Sequence, residues 1–449
     1  MSAQKQQNNE QLNVIELFAG VGGFRLGLEA VHNAPFQVTL SNQFEPLRKK
    51  QHASDIYRSH WPADPHINED IFQVLESESG RDAIRNARPD VVVGGFPCQD
   101  YSVAKPLSSS DGLAGKKGVL WWSIAKLLRQ RLDDGAPVKY LILENVDRIL
   151  SSPASCRGRD FAVILSTLRS LGYAAEWRVI NAADYGHPQK RRRTFIVGYH
   201  ASTGLYNRMC RAVSHTGATV WHTASVLSSA FPCDILNALD AVGPAFTLRA
   251  DPFDEQLSYR PLANGKSRFA NCGLMIAGDV RTCNARAAQI ADFSEYCSNV
   301  APLTLGDIVR ESGPAPTSFY IKPEQEAAWK TAKDAKAVAR NKNGFYYTYS
   351  EGAMAFPDPL DKPSRTIITS EGGSSASRTK HAIREPSGLL RRLTPEELEA
   401  LNGFPRGFTA HPGVSDVVRA MLMGNALVTG LVRRIGEAVY RSHLASHSN

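Results

Sequence analysis

Apolar and polar positions along the first 200 residues repeat one pattern: a short β-branched or aromatic run, a turn, then a stretch with helical spacing. Val14-Ile15-Glu16-Leu17-Phe18 predicts a strand, Ala19-Gly20-Val21-Gly22-Gly23 a glycine turn, and Phe24-Arg25-Leu26-Gly27-Leu28 the start of a helix. Further strands are predicted at 36–40, 89–93, 139–143, 173–179 and 194–198. Helices run through 121–128 and 161–171, the second stopped by Gly172. Strand–helix alternation of this kind folds as a doubly wound α/β sheet with its ligands at the carboxyl ends of the strands. Residues 1–198 are therefore assigned to the first part of an α/β domain.

From 199 to 385 the alternation fades. Gly, Pro, Ser and Asn are scattered throughout, and strand-like pieces such as 344–349 appear, predicting a smaller, irregular, strand-rich domain. Order returns over 386–449. Thr394, Pro395 and Glu397 spell an N-cap, a first-turn proline and a capping box. Asn402-Gly403-Phe404-Pro405 ends that helix, and 423–428 is expected to open a final helix through Tyr440.

Composition narrows the class only slightly. The chain has 449 residues, 43% hydrophobic and 21% charged, as ordinary globular proteins do. No apolar run approaches the ~18 residues of a membrane span, and the polar start lacks the apolar segment of a signal peptide, so a cytoplasmic location is expected. Seven cysteines at irregular spacing predict reduced thiols rather than a disulfide framework. Cys272, Cys283 and Cys297 sharing a metal is the weaker alternative, and no metal site is expected. The net charge of +8 suits a polyanionic partner without requiring one.

The chemistry concentrates at strand ends. The glycine turn lets a ligand approach the backbone, but Arg25 stands where a dinucleotide fingerprint needs Gly or Ala, which disfavours a nicotinamide oxidoreductase. At the second strand end Gln43 and Glu45 compete for ribose hydroxyls, Phe44 suits an adenine face, and Asp70 is a third strand-end acid. Gly94-Gly95-Phe96-Pro97-Cys98-Gln99-Asp100-Tyr101-Ser102 leaves a buried strand for a polar loop. A lone cysteine is usually a small core residue. Here Pro97 restrains the backbone before it, and the residues after it are too polar for core. Glu144-Asn145 taken alone is an ordinary strand-end turn, and Arg191–Arg193 alone a solvated basic edge.

In order, Phe18-Ala19-Gly20-Val21-Gly22-Gly23, Gly95-Phe96-Pro97-Cys98-Gln99, Glu144-Asn145-Val146, Gln189-Lys190-Arg191-Arg192-Arg193, Arg392-Leu393-Thr394-Pro395-Glu396, Gly403-Phe404-Pro405 and Gly424-Asn425-Ala426 resemble the motifs of the DNA (cytosine-5)-methyltransferases. The resemblance covers residues 12–198 and 364–440. It implies S-adenosylmethionine held by Phe18, Gly20, Gly22, Gly23, Gln43, Phe44, Glu45, Asp70, Pro97 and Asn425, although the family usually has Glu where this chain has Gln43. It implies Cys98 as the nucleophile toward carbon-6 of cytosine and Glu144 as the donor to ring nitrogen-3. Arg193 would contact the 2-oxo group and steady Glu144, and Arg191 would hold the catalytic loop or a phosphate. The partner implied is double-stranded DNA, met by Gln99 and Ser102 in a loop whose tip, 108–112, closes over a flipped base. Residues 199–385 would then be the target-recognition domain. Lys362, Arg365, Thr366 and Arg378, beside a Gly-Ser-rich loop, are expected to meet phosphate. A monomeric restriction–modification enzyme with a cognate endonuclease fits this set. The rivals are a transfer-RNA cytosine-5 methyltransferase on the same fold and a non-catalytic DNA-binding regulator.

Overall fold

Val91, Val92 and Val93 are completely buried, and the strand they form, β4 (Val91–Gly95), runs parallel to β1 (Leu12–Leu17) on one side and β5 (Tyr140–Asn145) on the other. A strand covered on both faces has to be apolar throughout, which is what the β-branched run supplies. This is a computed structural model, and it describes residues 11–96, 119–214, 220–236, 245–342 and 345–446. Pro97, Cys98, Gln99, Ser102 and the 108–112 tip lie outside the described residues, as does Gly344.

The chain divides into two compact units, one of residues 1–181, 192–290 and 431–449, the other of 182–191 and 291–430. The first unit contains β2 (Phe36–Asn42), β3 (His66–Ile67), β6 (Tyr173–Asn181), β7 (Arg192–His200), β8 (Cys233–Ile235), β9 (Phe246–Thr247), β10 (Cys272–Ile276), β11 (Asp279–Cys283) and β12 (Ala285–Ala287). Ten of its strands form one sheet in the order β3-β2-β1-β4-β5-β7-β6-β10-β11-β9, and β8 pairs with β12 apart from it. The β1–β5 portion is parallel, while β7 lies antiparallel between β5 and β6. Strand order reverses direction between β1 and β4, the switch point at which such sheets bind their ligands. The two strand ends come unusually close there. A Cβ on Gly94 would lie 2.7 Å from the Leu17 carbonyl oxygen, so only glycine fits.

The helix Arg159–Ser170 buries Phe161 to Leu168 against the sheet, where Phe161, Trp177 and Phe269 meet edge to face at 4.9–5.7 Å. Gly273 leaves the space that the Trp177 indole fills. From Leu431 onward the helix Thr429–Leu444 packs on the first helix of the unit, Gly23–Glu29, and on β2. A Cβ on Gly436 would meet Leu28 at 2.9 Å, and Phe36 touches Tyr440.

Two boundaries differ from the sequence reading. The 199–385 segment is divided: 199–290 belongs to the first unit, where β9, β10 and β11 extend the main sheet beyond β6. A β6 edge left open would be a liability, and the β10–β11 hairpin, turned by Ala277 and Gly278 at positive φ, covers it. The second difference is at the carboxyl end. Gly424 and Asn425 finish a helix, Asp416–Asn425, rather than opening one, and a break at 426–428 precedes Thr429–Leu444. In the second unit the predicted capping box at Thr394 and Glu397 heads the helix Pro395–Leu401, and β13 (Lys336–Lys342) pairs with β14 (Phe345–Glu351). Among the described residues no helix is long and apolar enough to cross a membrane.

Candidate active site

At the carboxyl end of β1 the backbone turns through Phe18, Gly20 and Gly22, all at positive φ. Gly22 cannot be replaced, since a Cβ there would lie 2.5 Å from the Trp61 ring. Gly20 differs: nothing among the described residues lies within 4 Å of its Cβ position, so that side of the turn is open. The Gly20 N–H donates to Gln43 Oε1 at 2.8 Å, which ties the end of β2 to the turn. Gln43 is buried, Phe44 is exposed, and Glu45 is half-buried with its carboxyl shifted upward by desolvation. Asp70 caps the helix Ile71–Glu76, accepting from the Phe72 N–H at 2.9 Å.

Beneath the turn lies a network that the sequence reading did not contain. Glu16, fully buried on β1, accepts from the Tyr57 hydroxyl at 2.9 Å and from the Arg25 N–H at 3.3 Å. The Arg25 guanidinium stacks over Trp61 at 4.4 Å and reaches Glu29 and Asp64. Arg25 therefore occupies the fingerprint's third small position because its side chain turns under the loop. Its departure from the nicotinamide pattern was the available signal. Burial raises the Glu16 carboxyl to about 7, against the opposing pull of Tyr57 and Arg25. The unfolded chain releases that proton near 4.5, so the group costs stability as pH rises from there to about 7. Gln does not titrate, so the melting temperature of Glu16→Gln relative to wild type should rise between about pH 5 and pH 8 and then level off. Thermal melts across that range check this, and a difference independent of pH would refute it.

The second cluster sits where β5 ends. Glu144 Oε1 accepts from Arg193 Nε at 2.7 Å, with both side chains more than four-fifths buried. Glu144 is the register partner of Gly95 on β4 and of Phe195 on β7. Asn145 is buried; its amide donates to the Phe96 carbonyl at 2.8 Å, and its Oδ1 accepts from the Val146 N–H at 2.9 Å.

The remaining predicted residues belong to the second unit, and most are engaged internally. Arg191, expected to hold the catalytic loop or a phosphate, is buried and donates to the Ile367 and Gly424 carbonyls at 3.1 and 3.0 Å. Gln189 bridges Ile367 and Asn402 at 2.9 and 2.8 Å. Arg365 forks onto Asp358 at 2.6 and 3.1 Å and onto the Thr379 and Lys380 carbonyls. Arg378 pairs with Glu351 at 2.9 Å, and Thr366 donates to the Lys190 carbonyl. These three were expected to meet phosphate; here each is held by carbonyls or carboxylates of the second unit. Lys362 and Asn425 are exposed. Burial pulls the Asp358 carboxyl up, but Arg365, His381 and Lys333 outweigh it and hold it below its usual range. Removing Arg365 should cost about 1–3 kcal/mol, less than the ~3–5 of a fully buried pair because Lys333 remains. The salt slope of DNA binding should stay unchanged for Arg365→Ala. A slope reduced by about one, measured by titration at several salt concentrations, would restore the phosphate contact.

Cys272 and Cys283 face each other across β10 and β11, and Cys297 belongs to the second unit. Among the described residues no group of three or more His, Cys, Asp or Glu could hold a metal ion.

A mixed sheet with an open glycine turn at its switch point, and an Arg-held Glu two strands away, places this chain among the doubly wound α/β proteins with their sites at strand ends. The model of the C-5 cytosine-specific DNA methylases matches residues 12–233 and 307–441, and the chain belongs to that family as a DNA cytosine-5 methyltransferase. It is 41% identical over 431 residues to the type II methyltransferase M.Sau3AI of Staphylococcus aureus, covering 96% of this chain and 95% of that one. The type II methyltransferase M.HgiBI of Herpetosiphon aurantiacus is 33% identical, covering 96% and 97%. A DNMT2 mutant from Spodoptera frugiperda shares the fold at a TM-score of 0.55 and 14% identity, covering 95% of this chain and 99% of that one.

Proposed function

We propose that this enzyme methylates carbon-5 of a cytosine flipped out of a specific duplex sequence, using S-adenosylmethionine, as the modification partner of a type II restriction endonuclease. The Glu144–Arg193 pair at the end of β5, beside the strand that leads into Pro97-Cys98, is the observation that carries the reading. The type II names of M.Sau3AI and M.HgiBI support the restriction–modification setting.

The residues present fit the cofactor. The open Gly20 side of the turn, the left-handed backbone at Phe18 and Gly22, and Gln43 reaching the turn make a cradle for a nucleoside with ribose hydroxyls. Phe18, Gly20, Gly22, Gly23, Gln43, Phe44 and Glu45 would hold it. Bound there, S-adenosylmethionine supplies an electrophilic methyl group. Carbon-5 of cytosine is a weak nucleophile until the Cys98 thiolate adds at carbon-6, breaking the 5,6 double bond and making carbon-5 enamine-like. The density pushed toward ring nitrogen-3 is met by a proton from Glu144, whose orientation Arg193 fixes. After methylation the carbon-5 proton passes to water, re-forming the 5,6 double bond expels the Cys98 thiolate, and nitrogen-3 returns its proton to Glu144.

Target choice is assigned within residues 199–385, the segment that the two units share out and that the family model leaves unmatched over 234–306. The test is incorporation of labelled methyl from S-adenosylmethionine into duplex DNA, with the product identified as 5-methylcytosine and its sites mapped by sequencing. Label entering transfer RNA but not DNA would refute the reading.

A further inference from the structure

The last two residues of β5 grip the end of β4 at two successive positions. Glu144 lies over Gly95, where a Cβ would come within 3.2 Å of Glu144 Oε2. Asn145 binds the next residue, its buried amide donating to the Phe96 carbonyl. Phe96 is the last residue before Pro97-Cys98, and its ring is buried against Trp121. One dipeptide therefore carries the carboxylate of the site and also fixes the backbone from which the nucleophile departs.

We propose that Asn145 is a positioning residue for methyl transfer. Its amide hydrogen bond to the Phe96 carbonyl sets the end of β4 against Glu144, and Gly95 leaves the room this requires. The inference rests on the reading of Cys98 and Glu144 as the reacting pair. Of the Asn145 bonds among the described residues, the one that reaches β4 needs a donor, whereas the bond from the Val146 N–H needs only an acceptor. Asp has the same size and keeps the acceptor. Ionised, it cannot donate, and it sets a carboxylate against a carbonyl oxygen; protonated, it can donate again.

Asn145→Asp should therefore lower kcat about 10–100-fold at pH 8.5, the cost of a reacting group displaced by a fraction of an ångström to 1 Å. KM for DNA and the S-adenosylmethionine Kd should stay within about threefold. Its activity relative to wild type should rise as pH falls through the titration of the introduced carboxyl, which burial against the Phe96 carbonyl holds well above the ordinary ~4. The fall in kcat at held KM and Kd is what a merely structural role would not produce. Duplex DNA carrying 5-fluorocytosine at the target distinguishes the two levels, because fluorine at carbon-5 blocks the final elimination and traps the adduct. No adduct with the wild-type enzyme would sink the parent reading. An adduct formed by wild type, and formed equally fast by a folded Asn145→Asp enzyme at pH 8.5, would overturn the role of Asn145 alone. If Asn145→Asp does not fold, Gly95→Ala is the second probe. It pushes on Glu144 from the other strand and should slow adduct formation at least tenfold with cofactor binding retained, and an unchanged rate would overturn the two-point grip.

Discussion

Cys98→Ser enzyme should bind duplex DNA and S-adenosylmethionine within about threefold of wild type and transfer no measurable methyl, a loss of roughly 10⁴-fold or more. A thiol near its ordinary pKa of ~8.5 is already a few per cent thiolate at neutral pH, whereas a serine hydroxyl is essentially never ionised there. Without addition at carbon-6, carbon-5 has no enamine character, so positioning and electrostatics have nothing to stabilise. Cofactor affinity should survive because the cradle proposed for it lies on β1 and β2, at Phe18, Gly20, Gly22 and Gln43, away from Cys98 in sequence. The measurement is label transfer at saturating DNA, paired with calorimetric titration of the cofactor. Turnover within tenfold of wild type would end the covalent scheme.

How much of this was legible in the sequence depends on whether a residue's role is local. The strands at 91–93 and 139–143 were readable because burial on both faces demands an unbroken apolar run. The capping box at Thr394 was readable because its partners are three residues apart. The Glu144–Arg193 pairing came from family resemblance, since residues 49 apart meet only through antiparallel register between β5 and β7. The internal partners of the basic residues in the second unit were not legible, for the same reason. Arg365 and Arg378 look like phosphate ligands beside a Gly-Ser-rich loop, and nothing local reveals that Asp358 and Glu351 have already claimed them. Asn145 and Glu16 were given no role of their own because a buried polar side chain declares itself only through its partners, and theirs lie 49 and 41 residues away. The division of 199–385 was equally hidden, since a hairpin that joins a sheet edge and one that stands alone share the same period-2 pattern.

Glu144→Gln should lower kcat by about 10²–10³, the usual cost of losing one preorganised group that answers charge developing in the transition state. The amide keeps the size of the side chain, an oxygen to accept from Arg193 Nε, and the fit over Gly95. It could still offer nitrogen-3 a neutral hydrogen bond, so DNA binding should change little, but it has no acidic proton to give. KM should therefore hold while kcat falls, the signature of an interaction made chiefly in the transition state. Arg193→Ala should act through the same group, since a Glu144 carboxyl group released from its 2.7 Å partner is free to turn away from the base. Residues that act as one unit are not additive. The Glu144→Gln/Arg193→Ala double variant should be only about as slow as the slower single variant, a coupling of roughly 1–3 kcal/mol. Single-turnover rates at saturating DNA for the four proteins of the cycle measure it. Losses that simply multiply would mean that Arg193 serves the base or the backbone independently, and that Glu144 is held by something other than this ion pair.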